Sequence, residues 1–235
     1  MTELSHLKRD LKILTRPDKV EIFKRFFKTG PGEYGEGDQF LGITVPQVRS
    51  VVNKYKNLSL LDIGALLQDP YHEIRLTALL ILVAQYRKAD LNKRKEIANL
   101  YLANTKFINN WDLIDLTAPH IIGPQLRHKG KPILIKLALS KNIWERRIAI
   151  LATFDYIRIG HFNTVLRICK ILVKDKEDLI HKATGWMLRE IGKRDLVTEE
   201  RFLKRYYRTM PRTMLRYAIE KFPEVKRQAY LKGRI

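Results

Sequence analysis

Arg146-Arg147-Ile148-Ala149-Ile150-Leu151 is a short helical phrase, two cations followed by an apolar body, and the chain repeats it. Arg75-Leu76-Thr77-Ala78-Leu79-Leu80 resembles it upstream; His181-Lys182-Ala183-Thr184-Gly185-Trp186 and Arg216-Tyr217-Ala218-Ile219 resemble it downstream. The first residues fall at 75, 146, 181 and 216, in steps of 71, 35 and 35. The long step is two periods, so a further member is expected near 111, where Trp111 stands.

Around these phrases apolar residues recur at three- and four-residue spacing, and no sustained two-residue alternation interrupts them. Prolines and glycines fall between the periodic stretches, among them Pro46, Pro70, Pro132, Pro211, Gly123 and Gly160. A repeat of this length marks stacked helix pairs, each burying one face on its neighbours. The pattern predicts an all-α fold, a right-handed α-solenoid of HEAT-like helix pairs forming a single domain over residues 1–235. The small residues Ala78, Ala149, Ala183 and Ala218 would let helices approach closely.

The register aligns Trp111, Arg146 and His181 at the first position and Asp112, Arg147 and Lys182 at the second. Cations repeated at one position on successive inner helices would form a ladder along a concave basic face, suited to phosphates along a duplex groove. Composition agrees: the 235 residues hold 45 Lys+Arg against 25 Asp+Glu, a formal net charge of +20. Residues 201–235 carry eleven basic residues and two acids, Glu220 and Glu224, and read as a phosphate-contacting segment that includes Arg212 and Arg216. So positive a surface argues against a protein-interaction scaffold unless its partner is acidic.

No apolar run reaches the roughly 20 residues of a bilayer span, and the first residues lack a basic stretch followed by an apolar block. The one cysteine, Cys169, sits in an apolar helical stretch and reads as a small buried hydrophobe. A cytoplasmic protein, nucleoid-associated when bound to DNA, monomeric and without membrane contact, is expected. The six histidines, His6, His72, His120, His128, His161 and His181, include no metal-ligand spacing, so neither metal nor cofactor is expected. Gly30-Pro31-Gly32-Glu33-Tyr34-Gly35 spells a dinucleotide fingerprint, but it follows a helical stretch, and Glu33, Glu36 and Asp38 would repel a pyrophosphate. It reads as a flexible surface connection.

Asn109-Asn110-Trp111-Asp112-Leu113-Ile114-Asp115 carries the chemistry. Trp111 and Asp115, four apart, share a helix face. An indole and a carboxylate together attract cations, within a surface that otherwise holds polyanions. Asp112 suits the positive end of the helix dipole. For Asp115 a salt bridge to Arg147 is the structural alternative. Trp186 follows the basic pair His181-Lys182 and precedes Arg189 on its helix, whereas Trp144 reads as core. One reaction fits an acid–indole site on nucleic acid. A ring-alkylated purine is cationic and a good leaving group, and a fixed carboxylate would stabilise the oxocarbenium character that develops on the sugar.

Several stretches, in order, resemble the HEAT-like-repeat alkylpurine DNA glycosylases, the AlkD class of DNA alkylation repair enzymes. They are Phe27 to Gly35 (FKTGPGEYG), Phe40-Leu41-Gly42-Ile43, Asn110 to Asp115, Asn142 to Leu151, Lys182 to Glu190 and Pro211 to Ala218. The resemblance implies a catalytic aspartate at Asp115, backbone-clasping tryptophans at Trp111 and Trp186, and a phosphate-contacting arginine at Arg147. It implies excision of N3- and N7-alkylated purines from double-stranded DNA, with the base left in the duplex. Phe26 stands where the family's glycosylase carries a tyrosine, which removes a hydroxyl. Arg146, Lys182, His181, Arg189, Arg212 and Arg216 are the further DNA contacts expected. The alternative is a non-catalytic HEAT-like protein that recognises DNA structure or damage.

Overall fold

Short polar residues open the helices where the sequence places them. Ser59, Asp90, Asn110, Asn142 and Asp195 each accept a backbone N–H of the helix they precede, and Thr44 and Gln47 form a capping box. The computed structural model describes residues 2–127 and 130–235; His128 lies outside the described residues.

The chain folds as two compact units, Met1–Thr117 and Ala118–Ile235. The first unit holds α1 (Glu3–Ile13), α2 (Pro17–Phe26), α3 (Val45–Lys54), α4 (Leu60–Leu67), α5 (His72–Lys88), α6 (Leu91–Ala103) and α7 (Trp111–Asp115). The second holds α8 (Ala118–Leu126), α9 (Lys131–Ala138), α10 (Ile143–Ala152), α11 (Phe154–Arg158), α12 (Phe162–Leu172), α13 (Asp178–Gly192), α14 (Leu196–Tyr206), α15 (Arg212–Ala218) and α16 (Glu224–Leu231). The fold is all-α, as expected. Among the described residues the extended chain pairs only at one isolated bridge, Gln39 with Tyr71.

In the first unit α5 is the core helix. Thirteen of its 17 residues are buried, and α3, α4, α6 and α7 pack around it. A helix buried all round has no solvent face for its charges, so His72, Glu73 and Arg75 at its start must all find partners inside. In the second unit α13 is central, with α10, α12, α14 and α15 against it. Ala78, Ala149, Ala183 and Ala218 are buried. A close approach of backbone to backbone falls at Gly185, where a Cβ would stand 2.4 Å from the Met214 carbonyl oxygen and 2.6 Å from Tyr217 Cβ. Trp144 and Cys169 are core residues, and burial pushes the Cys169 thiol pKa far up, which leaves it inert.

Candidate active site

Helix α7 is five residues long and bears Trp111 at its first position and Asp115 at its last. The Asn110 side chain caps it by accepting the Trp111 N–H at 2.9 Å. Both candidate side chains are half-buried. The indole stacks on Phe27 (5.4 Å between centroids, 27° between planes) and meets the edge of Phe26 at 5.6 Å. The face expected to attract a cation thus has an aromatic floor, while Phe26 remains 60% exposed beside it. Burial pushes the Tyr101 phenol pKa upward; a hydrogen bond with Thr117 opposes this, and the charge of Asp115 adds to it. The Asp115 carboxylate therefore stands within electrostatic reach of Tyr101.

Beneath α7 lies a charge network that sequence reasoning missed. His72 is buried, with Nδ1 2.8 Å from Asp38 Oδ2 and Nε2 2.9 Å from Asp112 Oδ2. A carboxylate at each nitrogen calls for a proton on both. Burial pulls the His72 pKa down, but the charge and hydrogen bond of Asp112, then those of Asp38, outweigh it and raise the value to about 9. The imidazolium also lies against Phe27 and Phe40, at 4.9 and 4.8 Å. Asp38 further accepts from Arg75 Nη2 at 2.6 Å. Its own burial is outweighed by His72 and Arg75, which hold it below the usual carboxylate range. Asp112 does sit in the first turn of α7, as expected, but it also joins that helix to the core. The available signal was His72-Glu73-Ile74-Arg75 itself: three polar side chains at the head of an otherwise apolar helix.

Glu73 turns the other way and accepts three backbone N–H groups, from Leu41 (2.9 Å), Gly42 (2.8 Å) and Ile43 (3.0 Å). It locks the segment that carries Phe40 against the cluster. The Gly30–Gly35 loop is held as well. Its Gly30 and Gly32 N–H groups donate to Glu33 and Glu36, so carboxylates already occupy amides that a phosphate would need.

The remaining candidate residues lie in the second unit. Arg146 does not reach out as a rung of a ladder. Its Nη1 donates to the carbonyls of Ser140 and Lys141, both at 3.0 Å, and its Nε donates to Asp175 at 2.7 Å. Arg75 Nη1 makes the same pair of bonds to Asp69 and Pro70, and His181 Nε2 donates to the Asp175 carbonyl at 2.6 Å. Each of these residues is the fourth of its helix and ties down the loop that precedes it. Arg147 is 5% exposed and donates to the Leu179 carbonyl at 2.7 Å. Lys182 pairs with Asp178 at 2.7 Å, and Arg189 pairs with Glu220. Trp186 donates from Nε1 to Glu190 at 3.2 Å and leans on Phe154 at 6.1 Å. Arg212 and Arg216 are exposed on α15, Arg212 donating to the Leu231 carbonyl at 2.6 Å.

A profile described as "DNA alkylation repair enzyme" matches residues 7–222, nearly the whole chain. The chain belongs to the DNA alkylation repair enzyme family. Membership ties it to DNA repair and makes DNA the substrate. The chain is also similar to a solved structure described as a predicted DNA alkylation repair enzyme from Enterococcus faecalis. The two share 17% identity and a TM-score of 0.71 over 89% of this chain and 97% of that one. At that identity the likeness speaks for the fold. No curated protein matches. Among the described residues no helix is long and apolar enough to cross a membrane, and no cluster of ligating side chains could hold a metal.

Proposed function

We propose that this family member is a DNA glycosylase that hydrolyses the N-glycosidic bond of cationic N3- or N7-alkylated purines in duplex DNA. The observation that carries the proposal is Asp115, one helical turn from Trp111 on a helix anchored from below by a buried charge network. A catalytic carboxylate needs a fixed position more than a special affinity, because it stabilises charge only where that charge develops.

In the reaction proposed, the bond between the sugar C1′ and the purine nitrogen breaks. Its electron pair moves onto the purine and neutralises the ring. Asp115 stabilises the positive sugar and orients a water that attacks C1′; the water's proton passes to the carboxylate and then to solvent. The products are a neutral alkylpurine and an abasic site, and the step calls for neither metal nor cofactor. Trp111 and Trp186 clasp the strand at the lesion. Arg212 and Arg216 hold phosphates directly, and Lys182 and Arg189 exchange Asp178 and Glu220 for phosphate on binding. Arg147, Arg146 and His181 act through the backbone they fix. The helix pairs within each unit are read as right-handed HEAT-like repeats, and the protein as a monomer of one functional domain working in the cytoplasm on the nucleoid.

The test is base release from duplex DNA bearing N7-methylguanine or N3-methyladenine, comparing wild type with Asp115→Asn. Release by the wild type and its loss in the variant, with binding retained, is the expected result. The covered indole face of Trp111 and the burial of Arg147 favour one other reading, a non-catalytic protein that binds damaged DNA. Tight binding to both duplexes with no release by the wild type would establish that reading.

A further inference from the structure

Helices α12 and α14 both pack on α13, and between them runs a groove of about 320 Å³. Its floor is apolar: Leu166 from α12, Phe202 and Tyr206 from α14. The two rings lie 4.6 Å apart at 41°. Phe202 is buried, whereas Tyr206 keeps part of its surface open. The rim is cationic on both sides. Arg167 and Lys170, three apart, line it from α12; Arg201 and Arg205, four apart, line it from α14. The lining contains no carboxylate.

The state of these four cations sets the groove apart. On α10 and α13 the cations Arg146, Lys182 and Arg189 are each neutralised by an acid of the same unit. At the groove none of the four forms an ion pair among the described residues; Asp195 feels the field of Arg201, but its carboxylate is taken up by Thr198. Four like charges around one groove repel one another, and only an anion relieves that repulsion. Arg205 already lies over the Tyr206 ring, at 5.5 Å from its centroid.

An apolar aromatic floor with a cationic rim fits a ligand that is planar in the middle and anionic at its edges. Duplex DNA does not offer this, since its bases are stacked inside and its outer surface is sugar and phosphate. An unpaired strand does: each base has a free face, and phosphates flank it on both sides. The volume is near the lower end of ligand sites and suits one nucleoside.

We propose that the groove between α12 and α14 binds single-stranded DNA, seating one base on Tyr206 and the neighbouring phosphates on the cations of both rims. The site is separate from the Asp115 chemistry and does not depend on it. It would give the protein a second hold on DNA wherever a strand is open.

The experiment measures binding of a fluorescent oligothymidylate by anisotropy across a salt series. It uses the full chain and three variants, Arg201→Glu/Arg205→Glu, Arg201→Gln/Arg205→Gln and Tyr206→Ala. The arginines are exposed, and the glutamine pair guards against a fold disturbed by charge reversal. The expected result is at least a tenfold loss of affinity in both arginine pairs. In the glutamine pair the salt slope falls by about 1.4, two contacts at roughly 0.7 each on a single strand. Tyr206→Ala loses roughly tenfold, the size of one base–aromatic stack. Unchanged affinity in the arginine pairs overturns the proposal, as does unchanged affinity in Tyr206→Ala. Equal competition by poly-glutamate, or tighter binding of oligouridylate, overturns it too. Base release from alkylated duplex, run on the same preparations, tests the glycosylase separately: its absence in the wild type removes that function and leaves the groove standing.

Discussion

His72 Nε2 and Asp112 Oδ2 lie 2.9 Å apart, and this bond joins the core helix α5 to the helix that presents Trp111 and Asp115. With Asp38 on the other ring nitrogen and Arg75 on Asp38, the charges of this network balance, two positive against two negative. Deprotonation of His72 would leave this network with one negative charge in excess beneath α7.

The first prediction is a pH dependence of stability. The folded His72 pKa of about 9 lies above the ordinary histidine value of 6.5. The stabilisation is therefore complete below about 6.5, declines between the two values and is gone above about 9. The raised pKa corresponds to something on the order of 3 kcal/mol. Urea midpoints taken from pH 6 to 10 should fall more steeply in the wild type than in His72→Asn, which keeps only the loss owed to Glu199, whose carboxyl pKa burial raises to about 8. Parallel profiles in the two proteins would mean that the imidazole is neutral throughout.

Glu73→Ala should destabilise the first unit by about 3 kcal/mol or more, since it strands three backbone N–H groups at roughly 1 kcal/mol or more each. Glu73→Gln keeps an acceptor and should cost less. Chemical denaturation ranks the two, and the reverse order would show that charge rather than acceptor geometry matters.

Gly185→Ala should loosen the packing of α15 on α13. A methyl group placed 2.4 Å from a backbone oxygen cannot be absorbed by a side-chain rotation. A loss of about 1–3 kcal/mol is expected, despite the better helix propensity of alanine. A melting temperature at or above that of the wild type would contradict the close approach.

Arg146→Met and Arg216→Ala separate loop tying from phosphate contact. Arg146→Met should lower the melting temperature, because it leaves Asp175 without its cation, while the salt slope for duplex binding stays as in the wild type. Arg216→Ala should leave stability alone and lower the slope by about 0.9. Exchanged outcomes would return Arg146 to the DNA surface.

The helices were legible because the repeat and its capping residues are local signals. Arg75, Arg146 and His181 do recur at the same helical position, as their spacing indicates. Their task was not legible. A cation that binds loop carbonyls leaves the same periodic trace as one that waits for phosphate, and the Asp175 that engages Arg146 lies 29 residues downstream. The pairing of Asp38 with His72 likewise spans 34 residues and joins a glycine-rich loop to a core helix. Sequence periodicity does not encode such contacts. Trp111 and Asp115 could be singled out because an acid beside an indole is unexpected in so basic a chain. The aromatic floor under Trp111 could not, since Phe27 reaches it from a distant helix end.

The tie between Arg146 and Asp175 couples α10 to the loop before α13 like a latch whose keeper is mounted on the next segment. Peeling α13 and its loop from α10 would strand a largely buried guanidinium, so fraying cannot halt cheaply at that boundary. The second unit should then melt as a block rather than helix by helix, and its amide protons from α10 to α15 should exchange through a common opening.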